Sequence, residues 1–167
     1  RDRDVTGVQT CALPIWPFSK MYADLHVHSH YSDGTDSPAI LVETAKSAGV
    51  RALSLVDHDT VRGICEFINE AKKTGLEAIP GVEISTSVNG AGIHILGYHI
   101  NQDSINLHKY LACLAKARTK NTKLIFDRLC KMGILNYSWD YVLQHSYNKD
   151  AVYSSDVFTA MKNDNIY

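Results

Sequence analysis

Apolar positions follow one period and then another between Tyr22 and Ile100. Tyr22–Val27 alternates as a strand does. Ser37-Pro38 then supplies an N-cap and a first-turn proline, and Ile40, Leu41, Thr44, Ala45 and Ala48 follow at helical spacing up to Gly49. Arg51–Val56 predicts a second strand, and Ile64, Phe67, Ile68 and Ala71 predict a second helix over Val61–Thr74, stopped by Gly75. Leu76–Ile84 predicts a third strand. Asn89-Gly90 is a turn signal between Ile84–Val88 and Gly92–Ile100. Strands and helices in alternation, with short connections, predict an α/β fold whose first three or four strands form a parallel, barrel-like sheet. Beyond Asn101 the pattern becomes helical throughout. Leu107, Leu111, Leu114, Arg118, Thr122, Ile125, Leu129 and Met132 recur at three- and four-residue steps, predicting one long amphipathic helix, or two in line, up to Gly133. A short helix is expected from Ser138, with Trp139, Val142 and Leu143.

Composition narrows the class without naming a chemistry. The 167 residues suffice for one domain with a core, and a net charge of −1 argues against bulk electrostatic binding to nucleic acid or membrane surfaces. Cys11, Cys65, Cys113 and Cys130 are scattered, with no C-x-x-C pair, so neither a disulfide framework nor a zinc knuckle is indicated. A reducing cytoplasm suits that usage. No apolar run approaches the roughly 18 residues of a membrane span. The stretch Arg1 to Ser19 has no period and lacks signal-peptide features. Its VTGVQTCALPI segment resembles translated sequencing-adapter read-through, so residues 1–20 are expected to be a non-native or disordered leader.

Histidine changes the picture. Of eight, four fall in the first 60 residues. In Asp24-Leu25-His26-Val27-His28 the period of two puts His26 and His28 on one face of a strand with Asp24, and sends Leu25 and Val27 into apolar packing. Asp33 follows in the next loop. The second strand leads into Asp57-His58-Asp59, the third carries Glu83, and the fourth carries His94. In parallel barrels the C-terminal strand ends share one rim, where active sites form. Imidazoles and carboxylates hold Zn²⁺, Mn²⁺ or Fe²⁺. His26, His28, Asp33, His58, Glu83 and His94 outnumber the ligands of one tetrahedral ion, which suggests a multinuclear site with Glu83 bridging ions. Asp57 or Asp59 would orient a liganding imidazole through its second nitrogen. His108 and His145 read as ordinary surface or partly buried imidazoles.

DLHVHSHYSDG, LVDHDT, GVEIS and HILGY together resemble the motifs of the PHP (polymerase and histidinol phosphatase) family of metal-dependent phosphoesterases. The likeness is to the stand-alone 3′,5′-nucleoside bisphosphate phosphatase and 5′→3′ exoribonuclease group. It implies a distorted (β/α)₇ barrel, two or three divalent ions (Mn, Zn or Fe), and His26, His28, Asp33, His58, Glu83 and His94 as ligands. It also implies domain bounds: the N-terminal part of the barrel over 21–101, an inserted helical subdomain over 102–147, and a return toward the barrel over 148–167. His30 falls in a variable part of the first motif and is expected to be an exposed loop residue. Three departures stand out. Asp156 occupies the place where a His is expected after the insertion, and is a possible extra ligand. Arg118 fits the first of two arginines in the long helix, a possible substrate-binding residue, while Asn121 stands at the second. The family's late Asp-x-His pair has no counterpart. The expectation is therefore a fragment that leaves its barrel open and its site incomplete, with weak metal binding and little turnover.

The function implied is hydrolysis of phosphate esters of a nucleotide or short oligonucleotide by metal-activated water, with no membrane involvement and with protein partners unspecified. Histidinol-phosphatase-like and polymerase-associated proofreading domains are alternatives within the class. A non-catalytic metal-binding module is the alternative outside it. Intact early ligands favour the catalytic reading.

Overall fold

The computed structural model describes residues 22–163, so the leader expected at residues 1–20 and Cys11 lie outside the described residues. In chain order the elements are β1 (Tyr22–Val27), α1 (Pro38–Ser47), β2 (Val50–Leu55), α2 (Ile64–Thr74), β3 (Glu77–Val88), β4 (Ala91–Tyr98), α3 (Ile105–Lys131), α4 (Trp139–His145) and α5 (Ser154–Asn163). Among the described residues the sheet has four strands in the order β1-β2-β3-β4.

Parallel pairing joins β1 to β2 and β2 to β3, as alternation of strand and helix demands. The fourth strand departs from the parallel reading. β3 is long enough to change partner: Glu77–Pro80 lie beside β2, and Gly81–Val88 pair antiparallel with β4. Asn89 (φ 51°) and Gly90 (φ 82°) both take positive φ, the conformation of a type I′ two-residue hairpin. A crossover helix would be needed to make β4 parallel, and two residues cannot supply one.

The main core joins the sheet to the first two helices. Val42 of α1, Leu53 and Leu55 of β2, Phe67 and Ala71 of α2, and Val82 of β3 are buried together. Leu111 of α3 reaches into the same core. Further along, Phe126 joins Leu135, Val142, Val157 and Ala160 in a second core beneath α4 and α5. Because α3 serves both cores, its buried positions are Leu111, Ala115, Thr122 and Phe126, while Ile125 and Met132 of the expected stripe are exposed. Leu25 also departs from expectation. It lies on β1, at the edge of the sheet, and is 42% exposed; only Val27 of that face packs on the core. Ser37, Ser104 and Ser138 cap α1, α3 and α4, each accepting from a backbone N–H three residues on. No helix among the described residues is long and apolar enough to cross a membrane. Cys65, Cys113 and Cys130 are free thiols.

Candidate metal centre

The centre is built where β1 and β2 run out and β3 changes partner. His26 and His28 lie two residues apart at the end of β1, so their rings share a face, with centroids 5.1 Å apart. The chain leaving β2 stays beside β3: Glu83 N–H donates to the Asp57 carbonyl (3.2 Å), and Asp59 N–H donates to the Glu83 carbonyl (2.9 Å). This local pairing sets His58 opposite Glu83. His94 enters from β4. The hairpin register pairs it with Ser85, which makes it a diagonal neighbour of Glu83. Glu83 and His94 are therefore strand-interior residues, not the strand-end residues that a fully parallel sheet would have made them.

Glu83 is the hub. Its carboxylate lies 2.9 Å from His26 Nε2, 3.2 Å from His28 Nε2, 3.8 Å from His58 Nε2 and 2.7 Å from His94 Nδ1. Asp33 adds a second carboxylate, 3.4 Å from His28 Nδ1 and 3.6 Å from His58 Nε2. Ring centroids of His28 and His58, and of His58 and His94, are each 4.7 Å apart. Among the described residues donor atoms fall into three groups, each within 4.8 Å: His26, His28 and Glu83; His28, Asp33 and His58; His58, Glu83 and His94.

The electrostatics suit a cation. Burial disfavours a charged Glu83, but hydrogen bonds and positive charge from His26, His58 and His94 outweigh it and hold the carboxyl below its ordinary range. Burial also pushes His58 down, toward the neutral imidazole that ligates metal. Among the described residues no hydrogen bond reaches the buried Nδ1 atoms of His28 and His58, the Asp33 contact to His28 Nδ1 at 3.4 Å being an ion-pair approach only. Buried polar atoms without partners are costly. Four imidazoles around one buried carboxylate cannot all be satisfied by it. The mixed nitrogen and oxygen donor set therefore fits divalent transition metal ions.

The flanking aspartates do not touch the imidazoles. Asp57, 1% exposed, accepts from Ser29 N–H (2.7 Å), Ser29 Oγ (2.6 Å) and Ser32 Oγ (2.6 Å), and so ties down the loop that carries Asp33. Gly34 lets that loop close, because a Cβ there would collide with the His28 carbonyl. Asp59, in a left-handed conformation (φ 53°) that Asp tolerates, accepts from Ser85 N–H (2.8 Å) and from Arg118. Arg118 reaches Asp59 Oδ2 and Ser85 Oγ, each at 2.5 Å, and lies over the Tyr153 ring. The Tyr153 hydroxyl donates to the His58 carbonyl (2.5 Å). Ser29, Ser32, Ser85 and Tyr153 were not singled out by sequence reasoning. The alternation of β3 could have found Ser85, which shares a face with Glu83.

Asp156 does not join the donor groups. It is buried at the start of α5 and accepts from Tyr153 N–H (2.7 Å), one arm of a capping box. Burial pushes its carboxyl up. Asp156→Ala is expected to cost about 1 kcal/mol of folding stability and to leave metal stoichiometry unchanged. Denaturant titration beside elemental analysis checks both halves. Loss of an ion would return Asp156 to the ligand set.

A cleft of about 610 Å³ opens beside the centre, lined by His94, Ser85, Tyr110, Arg118, Asn121 and Ser154. It is large enough for a small-molecule ligand.

Known proteins carry the same architecture. The chain is 45% identical over 113 residues to a 5′-3′ exoribonuclease of Haemophilus influenzae, covering 68% of this chain and 41% of that protein. It is 31% identical over 111 residues to a 3′,5′-nucleoside bisphosphate phosphatase of Chromobacterium violaceum, covering 66% of this chain and 39% of that protein. The chain thus spans about four-tenths of the length of these curated relatives. A solved Bifidobacterium adolescentis chain, assigned as a metal-dependent phosphoesterase, superposes with a TM-score of 0.80 at 27% identity, over 89% of this chain and 52% of that one. The α/β sheet seen here matches part of a PHP-type barrel. The PHP domain family model matches residues 24–157, and the chain belongs to that family.

Proposed function

We propose that this chain carries the metal-binding part of a hydrolase acting on phosphate esters of nucleotides or short oligonucleotides. The observation that carries the reading is the convergence of His26, His28, Asp33, His58, Glu83 and His94 into three overlapping donor groups around one buried carboxylate. Two or three divalent ions, Mn²⁺, Zn²⁺ or Fe²⁺, are the cofactors that this donor set suits. When bound, such ions make water a nucleophile at neutral pH and offset phosphoryl charge. The chain's own residues do the rest. Glu83 orients four imidazoles and brings a negative charge among them. Asp57 holds the loop that presents Asp33. Arg118, fixed by Asp59 and Ser85, places a guanidinium on the wall of the cleft that His94 also lines, where it would pair with a substrate phosphate. Residues 102–147 act as a helical insertion that supplies that wall. A cytoplasmic setting suits the free thiols and the nucleotide substrate.

The test is reconstitution with each metal, then assay against a 3′,5′-bisphosphonucleoside and a short 5′-phosphorylated RNA. His26→Ala is expected to lower turnover roughly 100-fold or more. Activity that survives both chelation and this substitution would overturn the metal mechanism.

A further inference from the structure

Next to the metal centre lies an aromatic pair that the proposed reaction does not use. His30, in the loop after β1, stacks on Tyr147 with centroids 4.6 Å apart and planes 3° apart. Tyr31 meets the same imidazole edge-on, with centroids 4.7 Å apart. Tyr147 is 64% exposed, so much of its surface lies open to solvent. The stack is not needed to join the two loops. Asn148, buried beside Tyr147, already does so by donating Nδ2–H to the Tyr31 carbonyl (2.7 Å). An exposed tyrosine held flat by a second ring is a ready surface for a third planar group.

Position suggests which planar group. His30 is two residues from His28, so their Cα atoms are at most about 7.6 Å apart. Lys116 lines a neighbouring cleft of about 650 Å³ together with Asn148, the residue after Tyr147; Lys149, Asp103 and Asp150 line it too, the Lys149 ammonium donating to the Leu143 and Ser146 carbonyls. The Lys116 ammonium has no partner among the described residues, leaving it free for an anion. An aromatic platform with a free cationic side chain in the neighbouring cleft is one arrangement by which proteins hold single-stranded nucleic acid with little regard for sequence.

We propose that Tyr147, backed by His30, stacks a base of a single-stranded oligonucleotide substrate, the base of the nucleotide adjacent to the one whose phosphate lies at the metal centre. The inference rests on the phosphoesterase reading above and deepens it. It makes an oligonucleotide, rather than a lone mononucleotide, the ligand for which this face is built.

The experiment measures affinity of the metal-loaded full chain. The probe is a 3′-fluorescent tetraribonucleotide with phosphorothioate linkages that slow cleavage, and adenosine 3′,5′-bisphosphate is titrated in parallel. Tyr147→Ala is expected to weaken tetranucleotide binding about tenfold, within the range for losing one stacked base. Tyr147→Trp should restore it, and bisphosphate binding should stay within about twofold in both variants. Replacing one base at a time by an abasic site should reproduce the loss at one position, with no further loss in Tyr147→Ala. A deoxyribose tetranucleotide should behave alike, since stacking does not read the 2′-hydroxyl. Bisphosphate binding with no effect of Tyr147→Ala on the tetranucleotide would overturn the platform and leave the phosphoesterase reading standing. Failure to bind either ligand would overturn both.

Discussion

Glu83→Ala should strip two ions from the loaded protein, whereas Asp33→Ala should strip one. The difference follows from how the donor groups overlap. Glu83 belongs to the group with His26 and His28 and to the group with His58 and His94; Asp33 belongs only to the group with His28 and His58. Without Glu83, the four imidazoles would keep only Asp33 as an anion, beside His28 and His58, and His26 and His94 would have none. Their neutral nitrogens could still donate electron pairs, but the single charge of Asp33 would offset too little of the repulsion between divalent cations brought together. Glu83→Gln is the sharper variant, since it keeps the shape and removes the charge. It should behave nearly as Glu83→Ala in metal content, because an amide presents one acceptor oxygen where the carboxylate presents two. Turnover should fall by roughly 10³-fold in either, equivalent to about 4 kcal/mol of lost transition-state stabilisation. Elemental analysis per protein chain, with circular dichroism to confirm folding, is the measurement. A full metal complement in Glu83→Gln would mean that the carboxylate is a spectator.

The contrast between Glu83 and the other carboxylates also shows what could be read from the chain. His26 and His28 were legible because a strand has a strict period of two. Glu83 was legible as a ligand type, but its central place was not. That depends on β3 leaving β2 at Pro80 and pairing with β4, so that a hairpin register brings His94 diagonally across. Asn89-Gly90 announced the turn; the sheet direction it forces was outweighed by the expectation of a parallel barrel. Asp57, Asp59 and Asp156 carry the same functional group as Asp33, yet each is taken up by other partners. Sequence gives the identity of a donor but not which neighbour it satisfies. For Asp156 a local signal existed, since an acidic residue three places into a helix can cap it. For Asp57 the partners are 25 and 28 residues away, on a loop whose path only the folded chain defines. Leu25 failed for a related reason. Alternation assigns a face correctly, but burial of that face depends on what lies beyond the sheet edge.

Asp57→Ala is expected to cost about 3 kcal/mol of folding stability, the largest single loss among the residues that touch no candidate ion. Three donors converge on a carboxylate that is 1% exposed, and truncation would leave Ser29 N–H, Ser29 Oγ and Ser32 Oγ without an acceptor. The same substitution should loosen the loop that presents Asp33, so the ion shared by His28, Asp33 and His58 should be lost before the others. Asp57→Asn separates charge from geometry. Its oxygen can still accept from Ser29 N–H and Ser32 Oγ, and its amide can donate to Ser29 Oγ once that hydroxyl turns, so the cost should be only about 1 kcal/mol. The pH dependence gives an independent reading. Burial pushes the Asp57 carboxyl up, against the downward pull of the Ser29 and Ser32 hydrogen bonds. A carboxyl raised in the folded state binds its proton more tightly there than in the unfolded chain. Its contribution to stability therefore falls as pH rises from the ordinary carboxylate value to the raised one. The stability difference between wild type and Asp57→Asn, measured by denaturant titration of metal-free protein across that window, should carry this downward slope. A difference that is flat, or that rises with pH, would show that the serine hydrogen bonds outweigh burial and that Asp57 is held as a stable anion.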